Sequence, residues 1–170
     1  MKSIIRYGVL SGLVVVFISL LIHAFGSGDW SYQTQEILGY LSMLMGLSFV
    51  YFGIRHDRSL VLKKSGQTYT FKQGLKTGAA ISVLSGLIFG IFTIILFILY
   101  PELGDDLIAK LLEGLETPEE VEAMKKKIAD VPAIMKTPVA QGLIMFGTVF
   151  VIGLIISVLS SLALRTTPKR

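Results

Sequence analysis

The sequence predicts an all-α membrane protein, with four transmembrane helices in a bundle and an extracytoplasmic amphipathic helical hairpin between helices 3 and 4. Three observations lead there. Four long apolar runs occupy most of the 170 residues. Charged residues make up 16% of the chain against 52% hydrophobic, where a water-soluble domain carries about a quarter charged. The charges are also sorted by sign between alternate connections. Together these make lipid the chain's main solvent.

The first run, residues 7–25 (YGVLSGLVVVFISLLIHAF), has no formally charged side chain at neutral pH. The others are residues 37–54, 78–100 and 139–164. Each is close to, or longer than, the roughly 20 residues a helix needs to cross about 30 Å of hydrocarbon. Helices are required because backbone polar groups in lipid must pair internally, and no alternating barrel pattern is present. The last run exceeds the requirement, so it is expected to tilt or to begin in the interface near Pro138. Lys2 and Arg6 before the first run, with Ala24 and Gly26 behind it, give it some features of a signal peptide. Its apolar core is longer than the roughly 7–15 residues of a signal h-region, which predicts an uncleaved helix.

Orientation follows from Lys and Arg. With four spans, one side holds Lys2 and Arg6, the loop 55–77 with Arg55, Arg58, Lys63, Lys64, Lys72 and Lys76, and the tail with Arg165, Lys169 and Arg170. The other side holds only Lys110, Lys125, Lys126, Lys127 and Lys136, together with every acid except Asp57. Both termini and the loop 55–77 are therefore expected in the cytoplasm, and the connection 101–137 in the periplasm. Tyr7, Trp30, Tyr32, Tyr51 and Tyr100 stand near the expected interfaces, as amphipathic rings prefer.

The connection 101–137 reads as two short helices. Thr117, Pro118, Glu119 and Glu120 spell a capping box with proline at the first helical position. Val121, Met124 and Ile128 form one apolar stripe on a polar cylinder, and Pro132 ends it. Upstream, Leu103, Leu107, Leu111 and Leu115 recur every fourth residue, Asp106 and Lys110 can pair, and Gly114 is the expected stop. The narrow apolar faces can rest on each other, on the span ends or on the lipid interface. A structured cap accounts for such a hairpin; a platform for a partner is the functional alternative.

Small residues mark the expected helix contacts. Gly74, Gly78, Ser82, Gly86 and Gly90 recur at every fourth position through the third span, and Gly8 and Gly12 form a GxxxG in the first. Gly153, Ser157 and Ser161 repeat the spacing in the fourth, while Gly39, Gly46 and Gly53 stand seven apart in the second. Apolar side chains gain little by leaving lipid for one another, so close backbone approach is what holds spans together. A four-residue step drifts about 40° per repeat, so the five-member row is expected to wrap around its helix and meet two neighbours in succession.

Chemistry is sparse. There are no cysteines, which removes thiol and disulfide chemistry. The span interiors hold no ionisable residue of the kind that marks proton relays. The pI is basic, but topology accounts for the flanking Lys and Arg, and no nucleic-acid partner is expected. No catalytic, cofactor-binding or metal-binding residues are predicted. The candidate functional residues are Glu36, at the outer boundary of the second span, and His23, near the outer end of the first. Glu36 is explained structurally by the helix dipole, and cation binding is its functional reading. His23 and His56 lie at opposite ends of their spans and cannot share a metal ion. The six basic residues of loop 55–77 could draw anionic lipid, at about 1 kcal/mol each, though topology already explains them.

The strings EILGYLSMLMGLSFVYFGIR (Glu36 to Arg55), FKQGLKTG (Phe71 to Gly78) and GLIISVLSSLAL (Gly153 to Leu164) resemble an uncharacterised bacterial membrane family, domain of unknown function 4199. The resemblance covers nearly the whole chain and implies a four-helix inner-membrane protein of a Gram-negative bacterium. It carries over no catalytic or binding residues. The expected role is a non-enzymatic scaffold or accessory subunit. The alternative is a small oligomeric transporter or channel for a neutral or apolar solute, and a remoter one is a lipid-modifying enzyme using Glu36 and His23. The expected partners are the bilayer and a second copy or another membrane protein.

Overall fold

A computed structural model describes residues 2–26, 30–65, 68–115 and 117–166. Lys169 and Arg170, which enter the charge argument, lie outside these residues. Helices α1 (Lys2–Gly26), α2 (Tyr32–Ser65) and α3 (Phe71–Leu99) are followed by α4 (Leu103–Glu113), α5 (Pro118–Asp130), a 3-10 turn (Ala133–Lys136) and α6 (Pro138–Leu164). No strand occurs among the described residues. Four of the helices are long and apolar enough to cross a membrane: α1, α2, α3 and α6.

The helix ends follow local chemistry. Thr117 accepts the Glu120 backbone N–H while the Glu120 carboxylate accepts the Thr117 N–H, each at 3.3 Å, so the capping box forms with Pro118 leading α5. Thr70 and Gln73 make an equivalent box at the start of α3, and Thr137 caps α6 ahead of Pro138. Residues 55–65 continue α2, so the first half of the segment read as a loop, 55–77, is helical, while residues 71–77, where Phe71, Lys72, Leu75 and Lys76 spell an amphipathic entry to the third span, begin α3. Charge ends an apolar run, but it does not end a helix. Leu60, Val61, Leu62, Lys63 and Lys64 all tolerate helix, and the first breaker in the sequence is Gly66.

The long helices alternate in direction, and glycine contacts give their register. Gly74 faces Ser161, Gly78 faces Ser157, Gly153 faces Ser82, and Gly90 faces Gly142, so α3 and α6 run antiparallel. A Cβ added at Gly74 would stand 2.7 Å from the Ser161 hydroxyl, and one at Gly90 would stand 2.8 Å from the Gly142 carbonyl oxygen. One at Gly78 would collide with Ser157. Gly86 lies against Phe146. A Cβ added at Gly8 or Gly12 of α1 would stand 2.8 Å from Leu84 or Ile88 respectively, which makes α1 parallel to α3. The row from Gly74 to Gly90 keeps α6 as its neighbour throughout, and Gly78 also meets Ile54 of α2. With a drift of about 40° per step, that requires α3 and α6 to wind about each other.

This α3–α6 interface is the most extensive in the molecule. Helix α1 packs on α2 and α3, and α2 also touches α6 and α3, so α1 and α6 flank the α2–α3 pair. Val15, Leu47, Val50, Ile54, Ile81 and Val149 are fully buried between the helices. Large apolar residues on the outside stay exposed, Phe17, Leu143 and Leu159 among them. Lipid is the solvent that suits such a surface. Three buried hydroxyls satisfy themselves locally: Ser82 donates to the Gly78 carbonyl at 2.9 Å, Ser157 to Gly153 at 2.7 Å and Thr93 to Phe89 at 3.0 Å, whereas the Ser161 hydroxyl, against Gly74, has no partner among the described residues. Ser11 of α1 and Ser85 of α3 bond across helices at 3.0 Å.

Candidate functional site between helices 1, 2 and 4

Polar chemistry collects at the two ends of the long helices and is organised differently at each. At the end carrying the termini, Asp57 accepts the Tyr69 hydroxyl and the Thr77 hydroxyl on one carboxylate oxygen, both at 2.9 Å. Tyr69 is fully buried. Its backbone carbonyl accepts the Thr166 N–H at 2.9 Å, and its own N–H donates to the Thr166 hydroxyl. Burial pushes the Tyr69 hydroxyl above the usual tyrosine range, and the hydrogen bond and negative charge of Asp57 push it further. Asp57 thus ties α2 to α3 through the connecting segment, and Thr166 ties that segment to the end of α6. The chain read alone shows Asp57 only as an isolated acid among basic residues. Its partners lie 12 and 20 positions away, beyond any local pattern.

The other end is open. The stripe Leu103, Leu107 and Leu111 lies on one side of α4, which packs against α2. Between α4 and the ends of α1 and α2 lies a cleft of about 670 Å³. Ser19, Ile22 and His23 come from α1, Tyr32, Gln35 and Glu36 from α2, and Leu103, Asp106, Leu107, Ala109, Lys110 and Glu113 from α4. The two candidate residues from the sequence, Glu36 and His23, line this one cleft from neighbouring helices. The His23 ring is half-buried and lies 5.4 Å, centroid to centroid, from Tyr100. Glu36 and Asp106 are exposed.

Three carboxylates and one lysine give the cleft negative charge, and Ile22, Leu103 and Leu107 give it an apolar lining. Tyr32 adds an aromatic ring of the kind that attracts cations, and His23 adds a second ring. Such a set is chemically suited to a positively charged group on an apolar body. Among the described residues no three His, Asp or Glu side chains are grouped to hold a metal ion. His56 stands at the opposite end, where Nδ1 bonds the Tyr7 hydroxyl at 3.1 Å. Of the α4 residues, Asp106 and Lys110 are visible in sequence as an i, i+4 pair. Their position beside Glu36 depends on how α4 folds back, which no spacing encodes.

Over residues 6–166 the chain matches the family described as protein of unknown function, DUF4199, and it belongs to that family. No curated protein and no solved structure matches the chain.

Proposed function

We propose that this member of the family is a non-enzymatic accessory or scaffold subunit of a bacterial inner membrane. In this reading both termini are cytoplasmic and α4 and α5 form a periplasmic hairpin. The cleft over Glu36 and His23 receives the partner, a segment of another membrane protein or of a second copy that carries a basic side chain. The observation that carries the reading is the cleft itself, an acidic, partly apolar opening of about 670 Å³ built where three helices meet. Beneath it the contacts of α3 with α6 and of α1 with α3 are closed by glycine against serine, glycine, Phe146 or branched side chains. Close packing of that kind favours reception at the surface over passage through a single copy.

Transport by an oligomer is the second reading, favoured by the cleft's opening toward Glu36. One experiment separates the two. A photoreactive benzoylphenylalanine at Ala109, on the cleft wall, is expected to yield one discrete cross-linked adduct in native membranes, and Glu36→Lys is expected to abolish it. Purified protein in liposomes is expected to pass no solute. No adduct, together with selective flux of a neutral solute, would replace the scaffold with the transporter.

A further inference from the structure

We propose that a second, smaller groove, between α1 and α2 at the end carrying the termini, holds the phosphate of an anionic phospholipid headgroup. The groove, about 290 Å³, is lined by Tyr7, Phe52, Arg55, His56 and Ser59. Phe52, Arg55 and Ser59 stand three and four residues apart, so they share one face of α2. Arg55 is exposed and Phe52 is 46% exposed. The face therefore passes within one turn from an apolar ring suited to acyl chains to a guanidinium suited to phosphate.

The site is built beyond a bare basic patch. The Tyr7 hydroxyl fixes the His56 ring through Nδ1 at 3.1 Å, with the two rings edge to face at 5.7 Å. When that hydroxyl donates, the ring proton sits on Nε2, so His56 offers a donor as a neutral ring. The Ser59 hydroxyl anchors to the His56 carbonyl at 2.7 Å. Asp57, the one acid of this end, is committed to Tyr69 and Thr77 instead, so no carboxylate lines the groove. A space of 290 Å³ admits a headgroup and leaves the chains outside, along the exposed apolar face of α2 that Phe52 shares with Met45, two turns nearer the middle of the helix. Basic grooves between helices at the membrane face recognise anionic lipid through this combination of charge and shape.

The test is lipid retention by the full chain, purified in detergent with equal amounts of dioleoyl phosphatidylglycerol and phosphatidylcholine and read by native mass spectrometry. One phosphatidylglycerol per chain is expected, retained at least about fivefold over phosphatidylcholine, as one basic contact of this kind provides. Arg55→Gln, an exposed change, is expected to erase that preference. Lys72→Gln, which removes an exposed charge elsewhere at the same end, is expected to leave it within about twofold. Equal retention of the two lipids, or equal loss in both variants, would overturn the proposal. Displacement by millimolar inorganic phosphate would overturn it too, by making the site one for the free anion.

Discussion

The two ends of the long helices use their acids in opposite ways. At the end with the termini a single carboxylate, Asp57, accepts two hydroxyls and holds α2, α3 and the connecting segment together. At the α4 end three carboxylates, Glu36, Asp106 and Glu113, border an open cleft. The middle of the molecule contrasts with both: there glycine and serine bring α3 and α6 into direct contact. Polar groups enclosed by packing hold the structure, and those that border a cleft face the space a ligand would enter.

The strongest way to break the contrast is to fill the tight interface. Gly78→Leu drives a side chain into Ser157 and Ile54 and is expected to cost about 3 kcal/mol or more, or to prevent folding. Gly147→Leu makes a sharp control, because a Cβ there meets nothing within 4 Å; it is expected to stay within about 0.5 kcal/mol of the parent. Thermal unfolding of both proteins in detergent gives the comparison. Equal Tm losses would mean that α3 and α6 do not meet as described.

Asp57→Ala comes next. It strands the buried Tyr69 and Thr77 hydroxyls and is expected to cost about 1–3 kcal/mol, seen as a lower Tm. Tyr69 then supplies a pH test of the same end. Its hydroxyl is held protonated in the fold, so the unfolded chain releases that proton first, above about pH 10. The stabilisation is present in full below that value and is lost as pH rises toward the elevated value in the fold. The Tm is expected to fall more steeply between pH 10 and 11 in the parent than in Tyr69→Phe. Parallel curves would show the hydroxyl to be unperturbed.

The smallest effect on stability is expected where the largest functional one is. Glu36→Gln and Asp106→Asn change exposed groups and are expected to move stability by no more than about 0.5 kcal/mol. They are expected to remove the cross-linked adduct at the cleft. A loss of several degrees in Tm from either change would place these acids with Asp57, as parts of the framework.

Much of the framework is legible in sequence because its signals are local. The four apolar runs, the Thr117–Glu120 box and the small-residue rows each declare themselves within one helix, and Glu36 and His23 are recognisable as polar residues at span ends. What the sequence hides is everything that depends on two elements meeting. The winding of α3 on α6 keeps α6 beside every member of the row from Gly74 to Gly90. Asp57 finds Tyr69 and Thr77 only once the chain has turned between α2 and α3. The cleft exists only because the leucine stripe of α4 folds back beside α2. The continuation of α2 to Ser65 was hidden for another reason: hydropathy marks where lipid ends, and helical propensity persists beyond it.

Placing the two ends on opposite faces of a membrane, with the cleft outside, is the claim on which the rest depends. The chain has no cysteine, so single-cysteine labelling reads it without background. In intact cells a membrane-impermeant maleimide is expected to modify Asp106→Cys at once and Lys64→Cys only after permeabilisation. Labelling of Lys64→Cys in intact cells, with Asp106→Cys protected, would reverse the orientation and remove the cleft from the periplasm.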